Sequence, residues 1–339
     1  MSLHAFDSLG DSLAATRAVL PDRIRDWLIL AAIVPFLGTT GVAVSFSTGN
    51  TGAGTGDIDG EVAEFSLPVA ELTAHAQTLL AVVAGVVALW LAFVLLGALF
   101  EFAFFETLRT GEVAVRRDVS THWRKGLGLF GFRVALTAGY VAVIGALVVR
   151  AVQRAGGLDA PLFELLFALG SVAVPLTLLG IPVQLVAAFT TAFVVPTMLA
   201  EHRGVLSGWR RLLPIIRREW KEFAAYAVVS TVLVIAGGIV VSLVVGIVFV
   251  GVAIFVGGLV AAGLVAAGGL AGIGLLGQLA LVAVALLVVG LLLVVYAVVL
   301  VPIDAYLRYY PLFLLGDVEP DLDYIPDRRA ALRHESSEP

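Results

Sequence analysis

Residues 223–303, FAAYAVVSTVLVIAGGIVVSLVVGIVFVGVAIFVGGLVAAGLVAAGGLAGIGLLGQLALVAVALLVVGLLLVVYAVVLVPI, contain no Asp, Glu, Lys, Arg or His. About 20 apolar helical residues cross a bilayer, so this 81-residue run is long enough for at least two crossings. Working outward from it, apolar runs bounded by charges or Gly/Pro clusters predict spans near 28–46, 75–100, 132–150, 172–199, 223–249 and 280–303. The expected fold is therefore an all-α, polytopic transmembrane helix bundle of about six spans. The Gly-rich stretch 251–277 is read as a re-entrant or bent hairpin on the external side, because glycine permits turns and close backbone packing.

Composition agrees: 60% of the 339 residues are hydrophobic, 14% are charged and the mean hydropathy is +1.02. Without cysteine, the chain offers no disulfide, thiolate metal site or thiol nucleophile. The run Leu28–Phe46 lacks a small-x-small cleavage site and is kept as a span rather than a signal peptide.

Orientation follows from charge. Segment 47–74 carries Asp57, Asp59, Glu61, Glu64 and Glu71 with no Lys or Arg, whereas 109–125 and 203–221 each cluster Arg and Lys. The positive-inside rule places both basic loops and both termini in the cytoplasm of a multi-pass cell-membrane protein.

The chain also repeats itself. Leu13, Arg17, Leu20, Pro21, Arg25 and Trp27 match Leu206, Arg210, Leu213, Pro214, Arg218 and Trp220 at one offset, so LPDRIRDW aligns with LPIIRREW. A fainter copy aligns Gly111, Arg117, Arg124, Lys125 and Phe130 with Gly204, Arg210, Arg217, Arg218 and Phe223. Three parallel helix-hairpin units, about 6–108, 109–202 and 203–316, make one transmembrane domain over 1–316, with a polar, disordered tail expected over 317–339. Each unit opens with a basic amphipathic helix. In the third, Leu206, Trp209, Leu213, Ile216 and Trp220 recur at steps of three or four, while Arg210, Arg211, Arg217, Arg218 and Lys221 cover the other side. Such a helix lies in the headgroup plane, so Trp209, Arg210, Arg211, Arg217, Arg218, Trp220 and Lys221 are the expected lipid- or partner-binding residues. The plainer alternative is that they only anchor the bundle and set its topology.

No constellation for catalysis, cofactor or metal is found. His202-Arg203-Gly204 lacks the following carboxylates and second histidine that metal-assisted phosphodiester hydrolysis needs. Gly272-Ile273-Gly274-Leu275-Leu276-Gly277 spells a dinucleotide fingerprint, but no acid follows before Asp304, and small-residue helix packing explains it better. Asp57-Ile58-Asp59-Gly60-Glu61 lacks EF-hand spacing and reads as a solvated external loop. His4, His75, His122 and His334 are scattered. Glu101, Glu106, Glu201 and Asp304 lie near cytoplasmic span ends, where they form a carboxylate ring or pair with Arg109, Arg203 and Arg308. No ionisable side chain is expected near the midplane of a span, which disfavours proton-coupled transport.

A Pro-ended span, then Glu201-His202-Arg203-Gly204, then a basic helix leading into Arg217-Arg218-Glu219-Trp220-Lys221-Glu222-Phe223 and a Gly-rich apolar tail, resembles haloarchaeal membrane proteins of unknown function. The preference for Arg, with only Lys125 and Lys221 as lysines, resembles proteins of a salt-loving archaeon. The pattern is similar, too, to the membrane domain attached to some glycerophosphodiester phosphodiesterases, although the soluble catalytic domain is lacking. The expected role is non-enzymatic: a structural or accessory membrane component that docks lipid or a protein partner through its cytoplasmic helices, without nucleic acid or cofactor. The alternative class is a transporter or permease for a small or lipid-like solute.

Overall fold

The computed structural model describes residues 4–37, 76–157, 160–269 and 273–335. Among these every regular element is helical, as the apolar runs predict. The helices are α1 (His4–Val19), α2 (Ile24–Ile33, continued by a 3-10 turn Val34–Phe36), α3 (Ala76–Thr110), α4 (Val115–Arg154) and α5 (Leu162–Phe189). After a π-helical turn, Thr190–Val194, come α6 (Val195–Ala200), α7 (Val205–Arg218), α8 (Trp220–Ala266), α9 (Gly274–Val318) and α10 (Pro326–Glu335). Five stretches are long and apolar enough to cross a membrane: α3, α4, Phe163–Ala200, α8 and α9. The first expected span, 28–46, is described only to Leu37, and the acidic segment 47–74 lies outside the described residues.

The external re-entrant hairpin expected at 251–277 is not observed. Residues 251–266 continue α8, which runs 47 residues, ~70 Å at ~1.5 Å per residue, and α9 begins at Gly274. Of the many glycines, those at the turn take left-handed backbone: Gly268 (φ 77°), Gly269 (φ 95°) and Gly274 (φ 57°). The other described glycines of the stretch remain helical, because a helix in lipid keeps its backbone hydrogen bonds whatever the side chain.

The chain forms two compact units, one from Met1–Pro35, Thr107–Val113 and Arg218–Pro339, the other from Phe36–Glu106 and Ala114–Arg217. In the first, α8 and α9 are antiparallel and meet where Gly237 faces Ile303; a Cβ there would lie 2.8 Å from the Ile303 Cγ2. From that level 29 residue steps lead to the turn on each arm, ~44 Å without a charged side chain. Gly237→Val should therefore lower the stability of the detergent-purified protein by about 1–3 kcal/mol, since β-branched Ile303 yields poorly. Gly238, which faces open space, supplies the matched control: Gly238→Val should leave the melting temperature nearly unchanged.

The outer arms stay exposed, with Ile254, Phe255 and Leu259 all turned outward, as expected of surfaces that contact lipid. Tight packing is instead found at the ends adjoining the basic loops. In the first unit α1 lies on α9 through small residues, Ser8, Ser12, Ala15 and Thr16. Ser12 donates to the Ser8 carbonyl at 2.5 Å and Thr16 to that of Ser12 at 2.7 Å, so these hydroxyls are satisfied on their own helix. The second unit packs α4 on α5 and buries Phe102, Phe105 and Phe193 completely.

The expected disordered tail is folded through Glu335. Leu322, Tyr324 and Ile325 are buried, and Arg329 pairs with Asp317 and, at 3.0 Å, with Asp323. Arg328 donates to the Arg109 carbonyl at 3.0 Å, and Arg109 stacks over Tyr324. The mixed Asp/Arg composition reads as a polar tail only until those ion pairs close. The two best-matched repeat copies also take different paths: the chain breaks at Leu20–Arg23, whereas Leu213 and Pro214 remain within α7.

Candidate functional site

The basic helix is α7. At ~100° per residue its side chains divide into three sectors. Val205, Gly208, Leu212 and Ile215 are buried against the protein, and a Cβ on Gly208 would come within 2.9 Å of Val194. The neighbouring sector holds Leu206, Trp209, Leu213 and Ile216, of which Leu206 is 68% and Leu213 40% exposed. The third carries Arg210 and Arg217, both exposed, with Arg211 toward its edge. Within this stripe Leu206 and Leu213 face outward, whereas Trp209 and Ile216 are half-buried. The apolar arc is wide enough for two faces, one for protein and one left open.

Each expected binding residue can be placed. Trp209 donates its indole N–H to the Thr190 hydroxyl at 3.1 Å, which ties α7 to the π-helical turn. Arg211 bonds Glu201 at 3.3 Å, and Arg203 pairs with the same carboxylate at 2.7 Å. Arg210 and Arg217 have no ion-pair partner among the described residues. Arg218, Trp220 and Lys221 belong to the other unit. There Arg218 donates to Glu319 at 2.9 Å and approaches Glu219 at 3.3 Å. The hydrogen bond to Glu319, helped by the attraction of both carboxylates, holds the Arg218 pKa above its ordinary value. Trp220 is 61% exposed, and Lys221 is exposed as well.

His202-Arg203-Gly204 forms the corner before α7. His202 is the one non-glycine residue with positive φ among the described residues (53°), just beyond the end of α6. Lys125 caps that helix end, donating to the Met198 carbonyl at 3.0 Å and approaching the His202 Nδ1 at 3.3 Å. His122 stacks on Phe102, and no group of three potential metal ligands occurs among the described residues. His75 and the acidic loop Asp57–Glu61 lie outside them.

The carboxylates at the span ends are paired, but not all with the expected arginines. Glu201 has Arg203, and Asp304 has Arg308 at 3.6 Å, both of the latter pair being almost wholly buried. Glu101, fully buried, pairs with Arg133 at 2.9 Å. Arg133 belongs to the expected span 132–150, where it passes for a flank of the apolar run. Its Nη2 also donates to the Thr191 hydroxyl at 3.0 Å. A separate cavity of about 340 Å³ opens at the far ends of α4 and α5, lined by Arg154, Glu164, Phe163 and Phe167 among others.

Comparison with curated proteins and with solved structures found no match to the chain. Residues 3–325 match the model of a family described as "Family of unknown function (DUF7544)", and the chain belongs to that family.

Proposed function

We propose that this membrane protein is a non-enzymatic structural or accessory component of the cell membrane, which docks anionic lipid through α7 at the cytoplasmic face. The observation that carries the reading is the three-sector character of α7: one face packs on protein, an exposed apolar edge adjoins it, and the exposed Arg210 and Arg217, without an ion-pair partner among the described residues, come next. An exposed Leu206 and Leu213 beside two exposed guanidinium groups match the boundary between acyl chains and headgroups. Each such arginine contributes on the order of 1 kcal/mol near an anionic surface, and less as salt rises.

The test uses Arg210→Gln with Arg217→Gln, which spares the ion pairs of Arg211 and Arg218. The purified variant should retain about 10-fold less anionic lipid relative to zwitterionic lipid at low salt, by mass spectrometry, with an unchanged melting temperature. Equal retention would leave α7 as a topology signal only. Cytoplasmic termini, three repeat units, a haloarchaeal source and kinship with phosphodiesterase-linked membrane domains belong to the same proposal, supported by the charge distribution, the LPDRIRDW/LPIIRREW match and the composition. A second reading, transport of a small or lipid-like solute, is favoured by the cavity beside Arg154 and Glu164. Solute flux into proteoliposomes that Phe167→Trp blocks would support it.

A further inference from the structure

Arg133 is held by one nitrogen. Its Nη2 makes both bonds, to Glu101 and to Thr191, while Nε and Nη1 have no acceptor among the described residues. A guanidinium has five N–H donors in a planar fork, so three of them remain to be satisfied. The side chain is 18% exposed, against 0% for Glu101, so the engaged edge faces inward and the other reaches the surface.

Two further observations define what can meet that edge. Gly97 lies beneath it: a Cβ there would approach the Arg133 Nη1 to 3.9 Å and collide with the Phe36 carbonyl. Glycine at this position lets the Phe36 carbonyl lie against α3 beside the guanidinium. Along α4, Arg133 and Arg150 are separated by 17 residues, ~26 Å, with no charged residue between them. That nearly equals the ~30 Å hydrocarbon thickness, and a long arginine can close the difference by extending to the boundary. That spacing fits Arg133 to the level of phosphates in the leaflet adjoining the basic loops.

We propose that Arg133, oriented by Glu101 and Thr191 over Gly97, binds the phosphate group of one phospholipid from that leaflet. Two parallel N–H donors match two phosphate oxygens. The Glu101–Arg133 pair is neutral, so the fork and its depth select the ligand rather than net charge, and a zwitterionic phospholipid fits as well as an anionic one. This site differs from the α7 surface, which depends on net negative charge, though both place lipid on the same side of the protein.

Native mass spectrometry of the full chain in detergent provides the test, with phosphatidylcholine, a glycosyl diacylglycerol of the same acyl chains, and inorganic phosphate as probes. One phosphatidylcholine should be retained and the glycolipid not, and millimolar inorganic phosphate should fail to displace it. Arg133→Lys, which keeps the charge and loses the fork, should reduce occupancy about 10-fold. Arg210→Gln with Arg217→Gln should leave it unchanged. Equal retention of the glycolipid, displacement by inorganic phosphate, or full occupancy in Arg133→Lys would overturn the proposal. Loss in the α7 variant alone would assign the retained lipid to α7 and overturn it too. Should Arg133→Lys fail to fold, the paired Glu101→Gln and Arg133→Gln variant removes both buried charges together and must also lose the lipid, and the three-probe comparison on the unaltered protein stands by itself.

Discussion

Arg329→Met is expected to destabilise the protein by about 3–5 kcal/mol, measured as denaturant unfolding in detergent by tryptophan fluorescence. Arg329 is 8% exposed and lies between Asp317 and Asp323. It also donates to the carbonyls of Leu312 (3.2 Å) and Phe313 (3.0 Å) and lies over the Phe313 ring. Gly316 leaves the space it occupies, since a Cβ there would collide with the guanidinium. Methionine is close to its volume and has none of its five donors, so Asp317 keeps Arg333 at 3.0 Å and Asp323 keeps the Ile325 N–H at 3.0 Å, while both lose their buried cation. Arg333→Met is the control. Its side chain is 46% exposed, and its bonds to Asp11 and Asp317 are worth at most about 1 kcal/mol. A change of under about 0.5 kcal/mol for Arg329→Met would show that the tail is not part of the cooperative fold. Trypsin should separate the variants as well, cutting the tail of Arg329→Met far sooner.

Arg308→Met should cost a similar amount, about 3–5 kcal/mol, for a different reason. Arg308 (1% exposed) and Asp304 (2%) are one helical turn apart on α9. They lie in the same layer as Tyr226, whose ring stacks on Tyr310 at 5.2 Å. Removing the guanidinium takes a positive charge from beside the buried Asp304 carboxylate. Adding Asp304→Asn to Arg308→Met should recover at least half of the loss, because both charges then leave together. If the double variant is as unstable as the sum of its singles, packing rather than charge compensation holds this layer.

What could be read from the sequence tracks how local each signal is. The five apolar helices follow from runs without charge, which require no knowledge of neighbours. α7 was legible as basic and amphipathic, but which apolar stripe meets protein was not: Leu206, Leu213 and Ile216 each adjoin Val205, Leu212 and Ile215 in sequence, and either set makes an acceptable face. Glycine content alone misplaced the turn after α8, because Gly251, Gly257, Gly258 and Gly263 are as glycine-like as Gly268 and Gly269, and only the latter two leave the helical region. The Glu101–Arg133 pair bridges 32 positions and two helices, so nothing in either neighbourhood announces it. The ion pairs of the tail were hidden likewise, since alternating acids and arginines look the same whether solvated or docked.

The central claim, that α7 lies in the headgroup plane on the side of the basic loops, can be tested in a chain that has no native cysteine. Single variants Arg210→Cys and Leu213→Cys would be labelled with a membrane-impermeant maleimide in vesicles of both orientations, and then with a lipid-soluble one. Arg210→Cys should react with the impermeant reagent only when the cytoplasmic face is outward, and Leu213→Cys only with the lipid-soluble reagent. Labelling of Arg210→Cys from the external face, or equal reaction of both positions with the impermeant reagent, would contradict the account.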